Sequence, residues 1–453
     1  MLDFNDKTYD RLLELAIKKN IVSNCREYPS LIYGGKLNTI NRIGKYLSKK
    51  FVVPLLNCGL YIHFPFCNSR CLFCKYYSEV KTDDGQLEDF LKFFEKELEL
   101  YSVDFKIKKM DNLFLGGGTP TILDESRMER FLKLIYKYFT FKDHAQKTIE
   151  GSPESLSLSK LKLYKALGFN RISVGLQSSN NSILKAIGRR HTVEDIFKAF
   201  KLIRQSGIRY IGTELIWGLP GESSQSYQKT FDDLIKLSPD FVEGYLLTTG
   251  GRVKIGRSYP LDITLHELIN VAKEKLLTHD YKIAFEGNFL GFVKKDIPIS
   301  EAVNQNTDSL YRQRSFVLGI GPGASSHFSD KKYMIDSGFN NYCDNLNNGV
   351  SPSVRSITIS KNDYKRHYVI SQIGFFRKIY KNEYRDIFGN ELARDFPTEI
   401  LFLKNKKIIR ENPDRFTWNL DNFELGHKSF YLHILKYWYS PRYIKWILKN
   451  YLS

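Results

Sequence analysis

Residues 61–74 read Tyr61-Ile62-His63-Phe64-Pro65-Phe66-Cys67-Asn68-Ser69-Arg70-Cys71-Leu72-Phe73-Cys74. Three cysteines at Cys-x3-Cys-x2-Cys spacing follow directly on an apolar, strand-like run. Three thiolates this close in sequence can bind three irons of a cubane cluster. The fourth iron is then left open, and an open iron is where a small molecule can be bound and reduced. A structural zinc site with His63 as fourth donor is the competing reading. Zinc, however, typically joins two Cys-x2-Cys elements, and no second pair follows. For His63 itself the expectation is a histidine satisfied within the core.

Outward from the triplet, short apolar runs alternate with amphipathic periodicity. Strands are predicted at 60–64, 112–115, 147–150, 171–176, 210–216 and 241–247. Between the first two, Leu87, Phe90, Leu91, Phe94 and Leu98 fall on one face of a helix. Helices follow at 128–139, 158–167, 193–205 and 224–237. Six βα units in sequence predict an α/β fold, a partial (β/α)6 barrel with its functional loops at the strand C-terminal ends. A doubly wound open sheet carries the same local signature. The expected organisation is an N-terminal arm over 1–57, a core over 58–330, and an α-rich C-terminal domain over 331–453. Helices are expected there at 363–380, 382–388 and 436–451.

The 453 residues suffice for one large core with appendages, and 42% hydrophobic content marks a globular chain. A formal charge of +18 raises nucleic acid or an anionic membrane as partners. The cations are spread through most segments and interleaved with acids, so a solvated surface is the reading and no nucleic-acid partner is expected. Steering of an anionic substrate stays open. The basic and aromatic tail at 436–449 suits contact with a membrane surface, although packing on its own domain is the commoner outcome. The start, Met1-Leu-Asp-Phe-Asn-Asp, has no apolar signal region, and no run reaches transmembrane length, so a cytoplasmic location is expected. In that compartment clustered cysteines bind metal, and Cys25, Cys58 and Cys343 read as ordinary thiols. An exposed cluster would require a reducing setting.

After the second predicted strand comes Leu115-Gly116-Gly117-Gly118-Thr119-Pro120, where glycines let the backbone approach a ligand closely. A tight turn alone would read the same way. Together with Ile149-Glu150-Gly-Ser-Pro, Arg171-Ile-Ser-Val-Gly-Leu-Gln177-Ser and Leu215-Ile216-Trp-Gly-Leu-Pro220, the cysteine triplet and this loop resemble the radical S-adenosylmethionine (SAM) enzymes. Within them the chain resembles the oxygen-independent coproporphyrinogen III oxidase family. That family includes heme chaperones, anaerobic heme-degrading methyltransferases and class C radical methyltransferases.

The resemblance implies a 4Fe-4S cluster on Cys67, Cys71 and Cys74 whose open iron chelates SAM, which is cleaved to a 5′-deoxyadenosyl radical. It implies SAM contacts at Tyr61, Phe73, Gly117, Gly118, Thr119, Glu150, Gln177, Arg189 and Glu214, with Ile216 lining a second SAM pocket. It also implies a tetrapyrrole-like substrate and an electron donor such as flavodoxin or ferredoxin. The segment Gly319-Ile-Gly-Pro-Gly-Ala-Ser-Ser-His327 resembles the one that closes the barrel near the substrate.

Two departures bear on the reaction. Glu214 stands where the family pattern has aspartate. Lys75-Tyr76-Tyr77-Ser78 stands where the true oxidase has Gly-Cys after the third cysteine. The tyrosines are closer to the methyltransferase branches, and either could stack on a flat ligand or pack in the core. The leading expectation is methyl transfer, or a related modification, on a flat tetrapyrrole-like substrate with a second SAM. Oxidative decarboxylation of coproporphyrinogen III and heme carriage are the alternatives.

Overall fold

The computed structural model describes residues 35–36, 57–102, 109–248, 252–255, 265–286, 289–302, 315–328, 331–419 and 438. The expected arm, apart from 35–36 and 57, and the expected helix at 436–451, apart from Trp438, lie outside the described residues.

All six predicted strands form: β1 (Asn57–Phe64), β2 (Lys109–Gly117), β3 (Thr140–Gly151), β4 (Arg171–Gln177), β5 (Tyr210–Trp217) and β6 (Phe241–Leu246). The connections carry α1 (Gly85–Ser102), α2 (Glu125–Tyr138), α3 (Leu158–Ala166), α4 (Asn181–Ala186), α5 (Val193–Ser206) and α6 (Ser224–Leu237). Every neighbouring pair from β1 to β6 is parallel, and spatial order equals sequence order. That order decides between the two architectures, because a doubly wound sheet reverses direction at a switch point. Right-handed crossovers without a reversal put all the helices on one face, as in a barrel wall.

The period-two alternation of each strand then sorts its side chains. Leu60, Ile62 and Phe64 of β1 are buried, and Phe64 meets Phe90 of α1 edge to face at 5.2 Å. Phe90 in turn packs on Phe131 of α2 at 5.4 Å. Each such ring contributes about 2–3 kcal/mol by leaving water. Tyr61 and His63 point to the opposite, helix-free face, and so do Glu150, Ser173, Glu214 and Glu243. Side-chain caps start the helices: Asp124 accepts from the Arg127 amide, and Thr192 forms a capping box with Asp195.

Both sheet edges extend beyond the six strands. A hairpin of β7 (Tyr281–Glu286) and β8 (Phe289–Lys294) adds to β6, with β8 antiparallel to it. On the other side β9 (Ser315–Ile320) runs parallel to β1. It continues antiparallel through β10 (Ser325–His327), β11 (Lys331–Ile335) and β12 (Ser353–Thr358) to Gly35–Lys36, completing 13 strands. Strands on both sides of the boundary expected at 330 pair antiparallel in the main sheet, β10 with β11. Beyond it stand α8 (Phe339–Asn347), α9 (Lys361–Phe376) and α10 (Lys381–Phe388), numbered after α7 (Leu265–Thr278). A small antiparallel sheet of Lys378–Tyr380, Arg415–Trp418 and Ile409–Glu411 accompanies these helices, in a region expected to be α-rich.

Candidate active site

The cysteine loop leaves the C-terminal end of β1 and is held by backbone bonds on several sides. The Glu79 amide donates to Pro65 O at 2.8 Å, Lys81 N to Cys67 O at 2.9 Å, and Leu72 N to Ile187 O at 3.0 Å. The glycine loop after β2 locks onto it, with Gly118 N donating to Phe64 O at 2.7 Å and Thr119 N to Phe66 O at 2.8 Å. A Cβ on Gly118 would lie 2.4 Å from Phe66 O, so only glycine allows this approach. Gly117 takes φ of 109°, a left-handed conformation suited to glycine, and its amide donates to Glu150 Oε2 at 3.2 Å.

Cys67, Cys71 and Cys74 are all half-buried. Thr119 Oγ1 donates to Cys67 Sγ at 3.4 Å, and Arg189 Nη1 to Cys71 Sγ at 3.6 Å. Burial raises the Cys74 thiol to about 11, with the neighbouring Cys71 and Cys67 adding to the rise. Burial raises Cys67 as well, against hydrogen bonds from Thr119 and Ser78. Burial opposes ionisation of Cys67 and Cys74, and a cationic centre would offset it, which is the chemistry of a metal-cluster donor set. Among the described residues no group of three or more His, Cys, Asp or Glu side chains is arranged to hold a metal ion. A cubane spreads its thiolates over separate irons. His63 is buried with both ring nitrogens engaged: Nε2 donates to Tyr77 O at 2.9 Å, and Nδ1 accepts from Tyr61 OH at 2.8 Å. Burial holds it near 4, so the ring is neutral and has no nitrogen to offer a metal.

Beside the thiols the helix-free strand face forms a polar crevice. Tyr61 stacks on Phe114 at 5.8 Å. Arg189, from the turn after α4, also donates to Gly175 O at 2.7 Å. Gln177 sits at a register shift ending β4 with φ of 65°, a strained conformation that re-aims its side chain. Gln177 Oε1 and Arg189 Nε are buried without a partner among the described residues, as a site built for a polar ligand would leave them. Phe73 and Ile216 pack against the main core as partly buried side chains.

The floor of the crevice is acidic. Burial, and then Glu214, push the Glu150 carboxyl up to about 8. Burial, and then Glu243, push Glu214 to about 7, although Ser173 Oγ donates to it at 3.1 Å. Glu243 is the register partner of Glu214 across β5 and β6 and accepts from Tyr245 OH. Arg171 lies among these carboxylates at 2% exposure, its guanidinium 5.2 Å from the Phe241 ring centre. Sequence reasoning assigned no role to Arg171 or Glu243. The alternation of Phe241-Val-Glu-Gly-Tyr places Glu243 on the inner face, but its pairing with Glu214 needs the β5–β6 register.

The two tyrosines after Cys74 diverge. Tyr77 is buried with the His63 ring on one side at 6.0 Å and the Arg252 guanidinium 4.9 Å from its ring centre, so it is a packing residue. Tyr76 is 55% exposed. The closing segment reaches the same place: Gly321 donates to Glu97 Oε2 at 2.9 Å, and a Cβ on it would fall 2.4 Å from His63 O.

The Radical SAM superfamily signature matches residues 61–234. The chain is 32% identical over 197 residues to the heme chaperone HemW of Haemophilus influenzae, covering 42% of this chain and 51% of that protein. It is 32% identical over 182 residues to the oxygen-independent coproporphyrinogen III oxidase of Escherichia coli, covering 40% of each. These two matches thus span about half of the relative's length or less. The heme chaperone HemW of Bacillus subtilis matches more weakly but more widely, at 23% over 381 residues, covering 82% of this chain and 97% of that one. In solved structures the same fold occurs in coproporphyrinogen III oxidase (HemN) from E. coli, with a TM-score of 0.75 at 20% identity, covering 94% of this chain and 98% of that one. Residues 61–234 are therefore a radical SAM domain, in a chain similar to the heme chaperones and the oxygen-independent coproporphyrinogen III oxidases.

Proposed function

We propose that this chain cleaves SAM reductively at a 4Fe-4S cluster held by Cys67, Cys71 and Cys74, and directs the product radical to a flat, tetrapyrrole-like substrate. The observation that carries the reading is the set of three half-buried thiols, two of them hydrogen-bonded by Thr119 and Arg189, beside a crevice with unpartnered buried polar atoms. When bound, the cluster and SAM supply a 5′-deoxyadenosyl radical able to abstract hydrogen. The chain's own residues do the rest. Arg189 offers a carboxylate a charged donor, Glu150 and Glu214 accept from ammonium or ribose hydroxyl groups, and Gln177 bridges polar groups. The Tyr61–Phe114 stack and the closing segment at Gly321 limit water on that side.

For the substrate step we favour methyl transfer, or a related modification, with a second SAM, because Lys75-Tyr76-Tyr77 replaces Gly-Cys and leaves Tyr76 exposed beside the site for stacking. Heme carriage is the second reading, supported by the wide match to proteins named heme chaperones. Oxidative decarboxylation draws support from the oxidase relatives. The test is anaerobic cluster reconstitution, dithionite reduction with SAM, and chromatography for 5′-deoxyadenosine and S-adenosylhomocysteine, with Cys71→Ala as control. Both products support methyl transfer. Deoxyadenosine with carbon dioxide and no homocysteine product supports the oxidase. Neither product from a fully loaded protein that binds heme stoichiometrically supports the chaperone.

A further inference from the structure

The turn that carries Arg189 is tied down on two sides. Towards the cysteine loop, Leu72 N donates to Ile187 O at 3.0 Å and Arg189 Nη1 to Cys71 Sγ at 3.6 Å. On the other side stands the turn after β3, Pro153–Ser155, where Glu154 Oε2 lies 3.4 Å from His191 Nδ1. The His191 side chain is wholly shielded from water, and that of Glu154 is 29% exposed. This second turn is itself fixed: Thr121 Oγ1 and Ser155 Oγ are 2.6 Å apart, and Lys160 Nζ donates to Thr121 O at 3.0 Å. Burial would raise the Glu154 carboxyl, yet the His191 ring, the Ser152 hydroxyl and the Arg189 guanidinium hold it down at about 2. A negative charge therefore stands within electrostatic reach of Arg189. Among the described residues the guanidinium nevertheless bonds Cys71 Sγ and Gly175 O and no carboxylate.

We propose that His191 is a positioning residue: by engaging Glu154 it keeps that carboxylate off Arg189 and leaves the guanidinium open to the carboxylate of a bound ligand. The inference rests on reading the crevice as a SAM site, since the methionine end of SAM supplies such a carboxylate. An arginine presents a planar fork that one carboxylate can occupy with two parallel bonds, so a carboxylate of the protein in that fork competes directly with the ligand's. Arg189 Nε is buried without a partner among the described residues, so the protein does not claim that edge of the fork. Glu154, partly exposed, has room to swing, and without the imidazole its attraction to the guanidinium would draw the two together.

The test is a double-mutant cycle on cluster-loaded protein: wild type, His191→Leu, Glu154→Gln and the two substitutions together. His191→Leu keeps most of the buried volume and cannot engage a carboxylate. SAM affinity is measured by anaerobic equilibrium dialysis. The rate at which phenylglyoxal modifies Arg189 is followed by peptide mass spectrometry, with the exposed Arg190 as internal reference. His191→Leu is expected to bind SAM about tenfold more weakly and to slow Arg189 modification, because Glu154 closes on the guanidinium. Glu154→Gln alone should stay within about twofold of the wild type, and the double variant should return to that level in both measurements. A double variant as weak as His191→Leu overturns the proposal and assigns the ring to packing. So does a His191→Leu variant that matches the wild type, or an equal loss in Glu154→Gln alone, which would make the carboxylate a support for Arg189. Should His191→Leu fail to load iron, His191→Asn replaces it in the cycle, its side chain being too short to reach Glu154. If the wild type binds no SAM, the SAM reading fails, and the phenylglyoxal rates still decide whether His191 keeps Glu154 off Arg189.

Discussion

The contact between the glycine loop and the cysteine loop can be tested with one methyl group. In Gly118→Ala the new Cβ would sit 2.4 Å from Phe66 O, 2.8 Å from Phe66 C and 3.0 Å from Phe64 O, all of them backbone atoms that no side-chain rotation can clear. Relief requires the two loops to part by about 1 Å, which breaks the Gly118 N–Phe64 O and Thr119 N–Phe66 O bonds. Two backbone hydrogen bonds at about 1 kcal/mol each, with an overpacking cost of about 1–3 kcal/mol, give a loss of roughly 3–5 kcal/mol. At about 2 °C per kcal/mol for a large domain, the melting temperature should fall roughly 6–10 °C. The comparison variant is Gly349→Ala, where nothing lies within 4 Å of the added Cβ and only the φ of 65° is penalised, at about 1 kcal/mol. Thermal melts of the anaerobic apoprotein, paired with iron content after reconstitution, measure both effects. Thr119 bonds Cys67, so the Gly118 variant should also take up less iron. Melting within 1 °C of the wild type, with full iron loading, would refute the claim that this close approach holds the cysteine loop.

Glu97, fully buried and raised to about 7, is ionised at a cost. Since its folded value lies above the unfolded one near 4.5, wild-type stability should fall as pH rises from about 4.5 to 7 and level off above. The loss is about 3 kcal/mol; Glu97→Gln should lack this decline in melts between pH 5 and 8. Glu243→Gln removes a neighbouring charge that raises Glu214, so the midpoint of SAM affinity against pH should move to lower pH, read by calorimetry on the apoprotein. An unchanged profile would detach Glu243 from the site. Arg189→Ala removes donors to Cys71 and Gly175 and should weaken SAM binding by about 10- to 100-fold, measured by equilibrium dialysis.

Local signals carried much of this protein. Cys-x3-Cys-x2-Cys, the glycine loop and six alternating βα periods are short-range patterns, because thiol spacing, left-handed backbone and side-chain alternation operate over a few residues. They gave the three neighbouring thiols and the six strands, while the residues of the crevice were expected from the resemblance that these motifs carry. Other features depend on register and on contacts distant in sequence. Glu243 meets Glu214 only once β6 pairs with β5, Arg171 becomes a buried cation only when three other strands surround it, and β11 joins the main sheet only by pairing with β10 and β12. Tyr76 and Tyr77 are adjacent and chemically identical, yet Arg252 and His63 cover one and leave the other exposed. By itself the sequence determined the element types, the parallel α/β architecture and the thiol triplet, since these follow from local periodicity and spacing. The tertiary structure decided the strand order, the acidic floor and the contact between His191 and Glu154, because burial and charge are set by neighbours that the chain brings together only on folding.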